Sequence, residues 1–177
     1  SDHLSASLNV GTAWRAPSIN EMYIYGEHFS DASFEVGDSI LKSESALNTG
    51  LSINYKSDKL RFNADMYYNK ITNYIYDKPA LKVRQLPSGT FPEFDYTQAN
   101  VHITGIDASL QYDFLPRFTF QSKTTIVRGY NESINDWLIF MPCDRFQNGI
   151  EYHFPKFRKL NESYISIENV SVLKQTR

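Results

Sequence analysis

The richest chemistry in this sequence is gathered in one short stretch, WRAPSINEMYIYGEH, and the residues just beyond it. Arg15, Tyr25, His28, Phe29 and Phe34 supply a cation, an imidazole and three rings, interleaved with Glu21, Glu27, Asp31 and Glu35. Rings, a histidine and carboxylates at this density suit capture of a ring-bearing or metal-bearing ligand. The same residues would also serve to pack a loop on its neighbours. A catalytic reading finds little to build on. The chain has no Gly-rich phosphate loop, no G-x-S-x-G and no pair of histidines at metal-ligand spacing. Its four histidines, His3, His28, His102 and His153, are scattered. Cys143 is the only cysteine, which excludes an intrachain disulfide or a cysteine zinc cluster, and it lacks a basic helix terminus to activate it. We therefore expect no enzyme and no resident cofactor. The sequons at Asn131 and Asn161 are read as coincidence.

Elements must hold these side chains in place, and the dominant pattern along the 177 residues is alternation with a period of two. Leu4, Ala6, Leu8, Val10, Thr12 and Trp14 form one face, against Ser5, Ser7, Asn9, Gly11, Ala13 and Arg15. Similar runs cover residues 47–55, 60–76, 94–114, 117–130, 138–154 and 157–174. Within 94–114, Val101 and Ile103 are out of phase with Ile106 and Ala108, which predicts a bulge near Thr104-Gly105. Several of these strands exceed the usual strand of about 5–6 residues.

The connections alternate in length. Long loops are expected at about 17–43, 77–93 and 131–137, and tight turns at 57–58, 115–116 and 155–156. Strands crossing a bilayer antiparallel, with short periplasmic turns and long outer loops, give this asymmetry. Rings cluster at both ends: Tyr55, Phe62, Tyr112, Phe114, Phe118, Phe120, Tyr152, Phe154 and Phe157 near the tight turns, Tyr67, Tyr68, Tyr74 and Tyr76 near a long loop. Barrels in the outer membrane carry such girdles where half-polar rings meet the interface. A soluble β-sandwich carbohydrate binder would share the period of two but neither the loop asymmetry nor the strand lengths.

Composition agrees. Aromatics make up 15% of residues, with 12 Tyr and 12 Phe, while mean hydropathy is −0.44, as expected when only one face meets lipid. A net charge of −2, evenly spread, argues against a nucleic-acid partner. No run approaches the ~18 apolar residues of a membrane helix; the longest is Trp137 to Met141. The fold class expected is all-β: residues 1–177 form an antiparallel transmembrane β-barrel segment of about seven or eight long strands. An odd count and no aromatic-ended closing strand suggest an arc of a larger barrel, because open edges are costly in lipid. A complete eight-stranded barrel is the alternative.

Inside the first long loop, Pro17 ends a strand because it has no N–H for the ladder. Ser18 to Glu21 then matches a capping box, which predicts one helical turn over Ile19 to about Tyr23. Arg15 at the strand top is a natural partner for Glu21.

An ordered series of motifs resembles the TonB-dependent outer-membrane receptors. It comprises Trp14-Arg15-Ala16-Pro17, Asn20-Glu21-Met22-Tyr23, Gly26-Glu27-His28, Phe34-Glu35-Val36-Gly37-Asp38 and Leu41-Lys42-Ser43-Glu44. Tyr68-Asn69, Ile71, Asn73 to Tyr76, Gln98-Ala99-Asn100 and Gly105-Ile106-Asp107 continue it, with Asp107 where the family more often has Glu, so that the likeness runs over about residues 4–155. The resemblance implies a barrel of about 22 strands in a Gram-negative outer membrane, with an N-terminal plug that this chain does not include. It also implies active uptake of a scarce nutrient, a ferric chelate (siderophore) or haem, driven by the TonB–ExbB–ExbD complex through that plug. On this reading Arg15, Tyr25, His28, Phe29 and Phe34 meet the ligand in an outer loop, His28 as a haem contact. Haem receptors also carry an Asn-Pro-Asx-Leu segment, replaced here by Asp38-Ser39-Ile40-Leu41. A non-transporting barrel or adhesin remains the other membrane alternative.

Overall fold

The computed structural model describes residues 3–155 and 163–175. Seven strands form one continuous antiparallel path: β1 (Leu4–Arg15), β4 (Glu44–Lys56), β5 (Leu60–Leu86), β6 (Gly89–Leu115), β7 (Phe118–Asn131), β9 (Arg145–His153) and β10 (Tyr164–Val172). Among the described residues three short strands lie off it: β2 (Tyr25–His28), β3 (Ser33–Val36) and β8 (Asp136–Trp137). Each long strand pairs with its neighbour in the path, and β1 and β10 are the two edges of an open sheet. The all-β antiparallel expectation holds. The expected turn at 155–156, Phe157 and the sequon at Asn161 fall largely outside the described residues.

The register explains why alternation was so regular. Leu8 pairs Leu51, Leu51 pairs Met66, Met66 pairs Ile106 and Ile106 pairs Ile126, so one apolar face runs across five strands. Further along, Phe120, Ile150 and Ile167 share that face and border an apolar groove. Many of these side chains are open, with Leu8 at 67% and Ile167 at 79% exposure. A surface this apolar and this open is what a lipid-facing wall requires. The opposite face is polar and cross-linked. Ser52 Oγ donates to Asp65 at 2.5 Å, Asn63 to Ser109 at 3.2 Å, and Gln147 to Glu168 at 2.9 Å.

The end with tight turns is finished by residues 57–59 and 116–117. At the other end three expectations need correcting. Residues 77–93 are not a loop: β5 and β6 stay paired until Pro87-Ser88. Pro79, Pro87, Gly89 and Pro92 suggested a loop, but Pro79 sits at a register shift and Pro92 still pairs with Val83, so the ladder bends around the prolines. Each arm has 27 residues, against the roughly 9–11 that span a bilayer, so the hairpin stands well clear of the membrane.

The bulge expected at Thr104-Gly105 is absent, and β6 runs through it in register. Gly105 instead makes room for a ring, since a Cβ there would lie 2.3 Å from atoms of Tyr67. The bulge lies on β5, where Thr72 and Asn73 oppose Asn100 alone and Asn73 takes φ 58°. The reversed phase of Val101 has another cause. Residues 138–144 are not strand; Leu138 and Met141 fold over the inner face and pack with Ala99, Val101, Ile103 and Tyr74. A face that is polar lower down is apolar here because a loop covers it, and Val101 is fully buried.

Candidate functional site

The first long loop, residues 17–43, is built as anticipated at its start. Pro17 ends β1, and Ser18 caps the one-turn helix α1 (Ile19–Tyr23). Glu21 N–H donates to Ser18 Oγ at 3.2 Å, while Ser18 N–H donates to Glu21 Oε2 at 2.6 Å. Beyond the helix the chain forms the β2–β3 hairpin. β3 then adds to β6 in parallel, the one parallel pairing among the described residues, with Phe34 opposite Glu93 and Val36 opposite Asp95. Ser88 Oγ at the tip of the long hairpin donates to Glu27. The loop is thus folded down onto the overhanging sheet. Gly37 is required where it turns back, because a Cβ there would sit 2.7 Å from backbone atoms of Met22 and Tyr23.

Two ionic groups result. In the first, Arg15 donates from Nη1 to both oxygens of Glu21 at 2.8 Å and from Nε to Glu44 at 2.8 Å. Glu44 also accepts from the N–H of Ile75 at 2.6 Å, tying the helix, β1, β4 and β5 together. Burial acts to raise the Glu21 carboxyl, but the bonds from Ser18 and Arg15 outweigh it and hold the group below its ordinary range.

The second lies on the β2–β3 hairpin. His28 Nδ1 is 3.0 Å from Asp31 Oδ2, 3.2 Å from Glu35 Oε1 and 3.3 Å from Ser30 Oγ. Asp31 is exposed, whereas the Glu35 side chain is only 7% exposed. Glu35 accepts from Tyr96 Oη at 3.1 Å and Ser33 Oγ at 3.4 Å. Burial, reinforced by Glu35, pushes the Tyr96 phenol up to about 12. Asp77 nearby is raised above its ordinary value, first by burial and then by the charges of Glu35 and Asp31.

Beside this cluster the Tyr25 and Phe34 rings meet edge to face at 5.1 Å, and the Arg84 guanidinium lies 5.7 Å from the first centroid and 5.2 Å from the second. Arg84 also pairs with the buried carboxylate of Glu93, which Lys82 approaches at 3.8 Å. Phe34 is 5% exposed and is a packing residue, while Tyr25 at 68% and Phe29 at 74% present their rings outward. The structure therefore brings Tyr25, Phe34 and His28 onto one hairpin with Phe29 at its bend, and ties Arg15 into a separate network. Arg84 and Tyr96 escape a reading of the sequence because they reach the loop only through the pairing of β3 with β6. A hollow of about 570 Å³ among Lys59, Asp113, Arg117 and His153 lies at the tight-turn end, away from these groups.

Comparison with known proteins agrees with this architecture. The family described as TonB dependent receptor-like, beta-barrel, matches residues 1–167. Among solved structures, the copper transporter OprC superposes with a TM-score of 0.68 at 19% identity, covering 86% of this chain and 22% of that one. The siderophore receptor PirA from Pseudomonas aeruginosa gives 0.57 at 12% identity, covering 85% and 25%. The FrpB iron transporter from Neisseria meningitidis (F5-1 variant) gives 0.55 at 16% identity, covering 96% and 30%. The chain spans between 22% and 30% of these three structures, and at such identities the likeness is one of fold. A lipid-facing wall, a polar inner face and the match over nearly the whole length lead to one conclusion: this chain belongs to the TonB-dependent receptor β-barrel family, as an arc of a barrel in the outer membrane of a Gram-negative bacterium.

Proposed function

We propose that this arc belongs to a transporter that takes up a scarce metal chelate, a ferric siderophore above all, powered by TonB–ExbB–ExbD acting on a plug domain. The observation that carries the reading is the outward rim of rings and cation: exposed Tyr25 with the Arg84 guanidinium over its ring, and exposed Phe29 at the bend of the same hairpin, on an overhang far longer than the bilayer needs. Ferric chelates of the catecholate class carry aromatic rings and a net negative charge. Aromatic faces and a guanidinium match both. Relatives of the same fold named as siderophore receptor and iron transporter support a metal-bearing cargo.

Haem is the second reading, favoured by His28. Both carboxylates engage Nδ1, the arrangement in which an imidazole offers Nε2 to a metal.

The test is growth and radiolabelled uptake in iron-starved cells lacking the receptor, complemented with the full-length gene. Complementation should restore uptake of one chelate class, inactivating TonB should abolish it, and Phe29→Ala with Arg84→Ala should raise the half-saturating concentration. Uptake indifferent to both the receptor and TonB, over a panel of chelates and haem, would leave a non-transporting barrel or adhesin as the better account.

A further inference from the structure

The geometry points to a binding site for a free divalent first-row transition cation, of the Zn²⁺ type, made by His28 Nδ1, Asp31 and Glu35 on the β2–β3 hairpin. It is independent of the ferric-siderophore reading and incompatible with haem ligation through His28. The three donor atoms lie within 4.8 Å of one another. Ligands held at about 2.0–2.2 Å from one ion stand roughly 3.0–3.5 Å apart in tetrahedral or octahedral geometry. The His28–Asp31 and His28–Glu35 separations of 3.0 Å and 3.2 Å already match that spacing. Little has to move for an ion to replace the proton on Nδ1.

Charge argues the same way. Glu35 is buried, and among the described residues its one basic neighbour at ion-pair distance is His28. Glu93, equally buried, has Arg84 and Lys82 against it. An imidazole carries one Nδ1 proton and cannot serve two carboxylates with it, so negative charge is left over at this hairpin. A divalent cation would neutralise it. Tyr96 acts as a positioning residue: its hydroxyl holds Glu35 Oε2 and leaves Oε1 toward His28. One nitrogen and two carboxylate oxygens favour Zn²⁺ or a neighbouring ion over Mg²⁺, and three protein donors leave positions for water. A cation on Nδ1 keeps the proton on Nε2, so this site and haem ligation by His28 exclude one another.

The experiment is calorimetric titration of Zn²⁺ into the purified full-length receptor, wild type against His28→Ala, Glu35→Gln and Tyr96→Phe. Glu35→Gln keeps an acceptor for Tyr96, and hydrogen exchange at Gly37 and Asp38 reports whether the loop is still folded. The wild type should show one site that Mg²⁺ does not fill. Loss of a ligand should weaken it by more than about tenfold, and Tyr96→Phe by about tenfold. Zinc-edge X-ray absorption on the wild type should show one imidazole and oxygen neighbours. Equal Zn²⁺ affinity in wild type, His28→Ala and Glu35→Gln would overturn the assignment. A wild type without a saturable site, or a spectrum without imidazole, would overturn it whether or not the variants fold.

Discussion

Arg15 with Glu21 and Glu44, and His28 with Asp31 and Glu35, are each a basic side chain between two carboxylates, and both help shape the same loop. They differ in how far they are satisfied. The guanidinium has donors for both partners, and each carboxylate also accepts a backbone N–H, from Ser18 and from Ile75. Such a group is closed and acts as a clip. The imidazole turns a single nitrogen toward two acceptors, on a hairpin where Asp31 and the neighbouring Phe29 lie open to solvent. That group is left with acceptor capacity that its own donors do not fill, which is the basis of the cation site we propose. The contrast teaches that similar charge counts on one loop separate into a closed clip and an open group by donor number, not by charge.

Perturbing the clip should therefore cost structure, and perturbing the hairpin should cost binding. The largest effect is expected for Arg15→Ala, which strands two part-buried carboxylates and should cost about 3 kcal/mol locally. In the full receptor this reads as roughly hundredfold faster hydrogen exchange at the backbone N–H groups of Ile24 and Ile75. Exchange within twofold of wild type would show that the clip holds nothing. Next comes Gly37→Ala, whose Cβ would overlap the backbone of Met22 and Tyr23; about 2 kcal/mol is expected, visible as faster proteolysis within residues 17–43.

Removal of the helix cap by Ser18→Ala should cost about 1 kcal/mol, read by exchange at Glu21 N–H. Acid should attack the same place. The Glu21 carboxyl is lowered in the folded loop, so its contribution is present above its ordinary value of 4.5 and is lost as pH falls through the lower folded one. Protection at Ile24, taken against the intrinsic exchange rate at each pH, should fall below that point and stay flat above it; a fall beginning near neutrality would point to another group. The smallest structural effect is expected for His28→Ala, within about 0.5 kcal/mol by the same exchange measurement, since His28 is half exposed and Glu35 keeps Tyr96 and Ser33. A loop that unfolds in this variant would make His28 part of the scaffold and erase the contrast.

The difference between the groups also decides what was legible in the sequence. The clip is local: Arg15, Pro17, Ser18 and Glu21 fall within seven residues, and capping and strand-end rules find all but Glu44. The wall was legible for a similar reason, because lipid on one face forces alternation through every strand. The hairpin cluster is tertiary. Its composition was visible in His28, Asp31 and Glu35, but Tyr96 and Arg84 arrive from residues some 60 positions away in sequence through one parallel strand pairing. Prolines misled at 77–93 because chain breakers are tolerated where a ladder can shift register. Val101 misled because a loop from residues 138–144 supplies cover that no local pattern announces.

The central claim is that residues 17–43 and the overhanging hairpin form the outer surface on which ligand lands. Labelling intact cells with a membrane-impermeant maleimide tests it most directly, in full-length receptor with Cys143→Ser and one of two introduced thiols. Phe29→Cys should label rapidly, and the transported chelate should slow that labelling. Ser57→Cys, in a tight turn at the opposite end, should label only after the outer membrane is breached. Labelling of Ser57→Cys in intact cells with Phe29→Cys silent would invert the orientation and contradict the account.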